Sequence, residues 1–98
     1  MICTTGIWMV KEGRHDEFER RWQQTVDGLT LDYPDLKFQL LRDHRDPKRF
    51  VSFGHGWRSV EQVEQAFGTP SYQDAMAAVW RVLDSGEIST LELVAEVS

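Results

Sequence analysis

The chain has 98 residues, 41% of them hydrophobic and 28% charged, and a net charge of −5. These values describe one soluble globular domain with a single core. The negative charge argues against a nucleic-acid partner, whose phosphates need clustered Lys and Arg. The one cysteine, Cys3, excludes an internal disulfide and cannot build a thiolate metal site. No apolar run approaches the ~20 residues that span a bilayer. The start Met1-Ile2-Cys3-Thr4 has no basic stretch followed by an apolar one, so a cytoplasmic protein with no membrane partner is expected.

Residues 2–10, ICTTGIWMV, are rich in β-branched and aromatic types and predict a strand that ends at the turn Lys11-Glu12-Gly13. Phe18, Trp22, Val26 and Leu29 then recur at helical spacing, with Asp16 and Glu17 at the positive end and Gly28 near the close. The segments LKFQLLRD (36–43) and RFVSFGHGW (49–57) flank HRDPK and predict a hairpin, whose alternating charges read as solvated. Ser59 and Gln62 form a capping box for a short helix with Val60, Val63 and Phe67 on its apolar side. Gly68-Thr69-Pro70 breaks that helix and Ser71 restarts it. Tyr72, Met76, Val79 and Leu83 give the second part its stripe, with Gly86 closing it. Residues 88–97 alternate Leu91, Leu93, Ala95 and Val97 against Glu92 and Glu96, as a half-buried strand does.

The order β-α-β-β-α-β predicts an α+β, ferredoxin-like antiparallel sheet with its helices on one face, in a single domain over 1–98. The other face needs cover, and a homodimer is the expected solution. In SFGHGWRS (52–59) the alternation puts Phe53, His55 and Trp57 on one side of the third strand. Ser52, Gly54 and Gly56 leave the other side nearly bare. The expected pocket therefore has Phe53, His55 and Trp57 as its floor, with Trp8 and Gly6 from the first strand. Phe18 and Trp22 join from the first helix, and Tyr72, Met76 and Val79 from the last. Four tryptophans in so short a chain supply flat surfaces for a planar aromatic ligand. Each of these residues has a purely structural alternative: a hydrogen-bonded histidine, core tryptophans, a packed tyrosine.

The hairpin Asp46-Pro47-x-Arg49-Phe50, the strand end Trp57-x-Ser59 and the restart Pro70-x-Tyr72-Gln73 resemble the antibiotic biosynthesis monooxygenase family over nearly the whole chain. That resemblance implies a dimeric α+β barrel and, by analogy with its anthrone-oxidising members, oxidation of a polycyclic aromatic substrate by O2 with neither metal nor flavin. No phosphate-binding glycine loop and no His-Glu-x-x-His pattern stands against a cofactor-free reading. In that chemistry the substrate is the reductant, and the protein supplies a base, a dry pocket and oxyanion donors. His55 is the expected base, since an imidazole works near neutral pH, with Trp57 orienting the ring and Tyr72 offering a second hydroxyl. The heme-degrading branch is a weaker match: Trp57 fits its tryptophan, but Met76 and Gly6 stand where it has an axial histidine and an asparagine. A non-catalytic dimeric module that binds a small apolar molecule in the same pocket is the other alternative.

Overall fold

The computed structural model describes all 98 residues, in the order β1 (Ile2–Val10), α1 (His15–Asp32), β2 (Lys37–Arg42), β3 (Arg49–Trp57), α2 (Val60–Phe67), α3 (Pro70–Trp80) and β4 (Leu83–Glu92). The strands form one antiparallel sheet in the order β2-β3-β1-β4. β3 is inserted between β1 and β2, which gives the split crossover of the ferredoxin-like fold. The molecule measures 36 × 36 × 18 Å, the thickness of one sheet and one helical layer.

Helix α1 turns Phe18, Trp22, Thr25, Val26 and Leu29 onto the sheet and ends at Asp32, about one turn beyond Gly28. A side chain at Gly28 would meet nothing, so the residue sits on an open face and does not break the turn. Arg21 reaches Glu17 within α1 and also donates to the Ala78 carbonyl, tying α1 to α3. Ser59 Oγ accepts from the Gln62 N–H at 3.1 Å, as the capping box predicts. Helix α3 starts at Pro70, with Thr69 rather than Ser71 as its cap.

The last strand departs from expectation. Helix α3 stops at Trp80, and β4 begins at Leu83 rather than at 88, ending at Glu92. Gly86 does not close a helix; it pairs with Trp8 across the β1–β4 ladder. Leu83 is buried at the base of the sheet, and its spacing from Val79 only imitates another helical turn.

Between the sheet and the helices the core divides into two clusters. One gathers Trp8, Val10, Phe18, Phe50, Val79 and Val82; the other gathers Leu29, Leu36, Trp57, Val63 and Ala66. Phe38 and Tyr72 pack against both. The opposite face of the sheet carries no layer and presents Ile7, Leu41 and Leu91, each 37–49% exposed, beside Val51 and Phe53.

Candidate functional site

The gap between the two core clusters is a slot of about 40 Å3, roofed by α1 and α3. Its floor is β1 and β3, where Thr4 pairs with Gly54 and Gly6 pairs with Ser52. Neither glycine can carry a side chain there. A Cβ on Gly6 would sit 2.2 Å from the Trp8 ring, and one on Gly54 would sit 2.4 Å from Thr4 Oγ1. Trp8 lies across Gly6 and donates its indole N–H to Ser52 Oγ at 3.0 Å. Trp22, Thr25 and Met76 close the slot from the helices, while Phe38, Phe67 and Tyr72 wall its other end.

The lining is therefore apolar and aromatic, with hydroxyls as its polar side chains. No carboxylate, imidazole or amine reaches it. No three His, Cys, Asp or Glu side chains anywhere converge to hold a metal ion. Burial raises the Tyr72 phenol to about 12, so it stays a neutral donor across the physiological range. Tyr72 stacks on Phe67 with ring centroids 4.5 Å apart. It also lines an outer cleft of about 140 Å3 that shares Thr25 and Leu29 with the slot. A water needs roughly 10–15 Å3 on this scale, so the slot holds only a few. Tyr72 is the aromatic side chain that lines both slot and cleft, and the slot as it stands is smaller than a polycyclic ring system.

The raised phenol has a consequence for stability. The unfolded chain releases the Tyr72 proton at its ordinary value of 10.0, while the folded chain holds it to about 12. Stability is untouched below pH 10 and falls as pH rises through that window, by about 2–3 kcal/mol at the top. Urea unfolding of wild type and Tyr72→Phe between pH 9 and 12 should show this loss in the wild type and not in the variant.

The predicted site residues separate into three groups. Trp8, Trp22, Tyr72 and Met76 line the slot, with Gly6 in its floor. Phe18 and Val79 are fully buried beyond it, as core. Trp57 stands behind the wall: it is packed edge-on against Phe38 and Phe67 and donates its indole N–H to Thr4 Oγ1 at 3.1 Å.

Phe53 and His55 do not line the slot. They stack on each other, 6.3 Å apart and 14° from parallel, with His55 exposed. Phe50, Ser52 and Gly54 alternate onto the helical face, so Phe53 and His55 point to the uncovered one. Strict alternation would send Trp57 with them, and a β-bulge prevents it. His55 and Gly56 together oppose Cys3, and Gly56 takes the extra step at φ +95. The parity reverses and Trp57 turns back beneath the helices. The side of SFGHGWRS that reads as bare in the sequence, Ser52 and Gly54, is the floor of the slot. Thr4, Thr25, Phe38, Ser52 and Phe67 are among the lining residues the sequence reading missed. Thr4 alone had a visible signal, its place two residues before Gly6 on one face of β1.

No curated protein matches the sequence. Solved structures match the fold over nearly its full length. SnoaB, a cofactor-independent oxygenase from Streptomyces nogalater, is 18% identical with a TM-score of 0.81, covering 98% of this chain and 95% of that one. An antibiotic biosynthesis monooxygenase is 18% identical with a TM-score of 0.78, covering 97% of this chain and 100% of that one. A conserved protein from Methanosarcina mazei Go1 is 15% identical with a TM-score of 0.79, covering 92% of this chain and 89% of that one. At such identities these neighbours speak for the fold. The family model described as antibiotic biosynthesis monooxygenase matches residues 1–78, and the chain belongs to that family.

Proposed function

We propose that the protein is a homodimeric, cofactor-independent monooxygenase that oxidises an anthrone-like polycyclic phenol with O2 in the slot, once Tyr72 swings aside to join it to the outer cleft. The observation that carries this reading is the lining itself: flat aromatic walls, hydroxyl donors and no charged group. Such a site favours a planar, uncharged ligand and a developing oxyanion held by hydroxyls. Family membership and the likeness to a cofactor-independent oxygenase support the same class of reaction.

The reaction balances without a further reductant. An anthrone loses a benzylic proton, and the carbanion passes one electron to O2. The radical pair joins to form a C–O bond, and after protonation the hydroperoxide loses water to leave the quinone. One O2 is consumed for each quinone and water formed. With no imidazole or carboxylate in the lining, the substrate's first proton leaves to water. Hydroxyl donors promote that step by stabilising the anion. The rate should then rise with pH along the bound substrate's own ionisation curve. The exposed apolar face of the sheet supports the homodimer, since a second copy would cover Ile7, Leu41, Val51 and Phe53.

Oxygen uptake with an anthrone tests the reading. Equimolar O2 consumption and quinone formation above the uncatalysed rate are expected. Catalysis that depends on added flavin or metal, or its absence with every anthrone tried, would sink the proposal.

A further inference from the structure

Each of the two tryptophans nearest the floor spends its indole N–H on a hydroxyl: Trp8 on Ser52 Oγ at 3.0 Å and Trp57 on Thr4 Oγ1 at 3.1 Å. A hydroxyl that accepts still has its own proton to give. Neither Ser52 nor Thr4 donates to any protein acceptor, although the residues are only 8% and 4% exposed. A buried donor left without an acceptor is costly. Both line the slot, whose walls around them are apolar, so the acceptor has to come from whatever the slot contains.

The sheet register fixes their relation. Thr4 faces Gly54 and Ser52 faces Gly6, so the two hydroxyls occupy opposite corners of a four-residue floor whose other corners are glycines, covered by the Phe38 and Trp8 rings. Diagonal neighbours of this kind lie about 7–8 Å apart. The indole donors occupy one lone pair of each oxygen and leave the O–H free to turn into the slot. We infer that Thr4 and Ser52 are substrate-positioning donors, and that the ligand is a flat polycycle with oxygen acceptors at two edges of one ring, as in a quinone or its reduced precursor. Trp57 and Trp8 are positioning residues that act through these hydroxyls. The inference rests on the oxygenase reading for the reaction but not for the binding.

Equilibrium binding of 9,10-anthraquinone and of anthracene, followed by tryptophan fluorescence with dimethyl sulfoxide as cosolvent, separates the two claims because the quinone cannot be oxidised further. Wild type should prefer the quinone. Thr4→Val and Ser52→Ala should each weaken quinone binding about five- to tenfold and leave anthracene within about twofold, the size of a lost hydrogen bond. Thr4→Ser should keep wild-type selectivity, and Trp57→Phe should lose it while still binding anthracene. If Thr4→Val does not fold because the Trp57 N–H is stranded, the double variant Thr4→Val/Trp57→Phe removes both partners and carries the same expectation. Folded variants that bind the quinone as wild type does, or lose both ligands equally, would overturn the inference, as would a wild type without quinone preference. Quinone selectivity without oxygen uptake would remove the oxygenase reading and keep the two donors. Uptake unchanged in Thr4→Val and Ser52→Ala would do the reverse.

Discussion

Replacing Gly56 by alanine should lower the stability of the protein by roughly 3 kcal/mol or more, a large part of the 5–15 kcal/mol that holds a typical domain folded. Two costs add. At φ +95 an L side chain is disfavoured by about 1–2 kcal/mol. The new Cβ would also stand 2.2 Å from the Asp35 carbonyl oxygen, a backbone atom with no rotamer to retreat into. Relief requires the bulge to flatten, which restores strict alternation and drives Trp57 off the helical face. It would leave behind Leu29, Val63 and Ala66, with which it is buried. Urea unfolding should show a midpoint about 2 M lower, taking the slope of a small domain as about 1.5 kcal/mol/M. A midpoint within about 0.3 M of wild type would show that the bulge does not hold Trp57 in place.

Phe18→Ala should be nearly as severe, at about 3–5 kcal/mol. Phe18 has no exposed surface and packs between Phe50, 5.0 Å away, and Trp8, 6.3 Å away. Truncation leaves a hole in the larger cluster that neither the sheet nor α1 can collapse to fill. Ligand affinity measured well below the melting temperature should change little, because Phe18 does not line the slot. A variant of normal stability with weakened binding would return Phe18 to the site.

Much of the fold was legible. β1 and β3 lie within the bounds their β-branched and aromatic runs suggest, and the Ser59–Gln62 box starts α2 where expected. The end of α3 was not legible, because Leu83 continues a helical spacing that belongs by chance to the next strand. The site was half legible. Large apolar and aromatic residues at helical spacing announced Trp22, Tyr72 and Met76, since a core and an apolar slot use the same residue types. On β3 the reading put Phe53 and His55 on the wrong face and Trp57 on the right one. Parity along a strand holds only without a bulge, and the Gly-His-Gly-Trp sequence that creates the bulge also looks like plain alternation. Gly56 was taken for a small residue on a bare side when its use is the positive φ. The hydroxyls were overlooked for a related reason: Thr4 and Ser52 are ordinary strand residues until register brings them to one floor.

The choice between the two faces of the sheet can be decided by steady-state oxygen uptake with an anthrone, comparing His55→Ala with the double variant Thr4→Val/Ser52→Ala. With the slot as the site, His55→Ala keeps the wild-type rate and pH profile per folded molecule, and the double variant loses at least about tenfold in kcat/KM. Loss of turnover in His55→Ala, with the double variant as active as wild type, would put the chemistry on the opposite face and contradict the assignment.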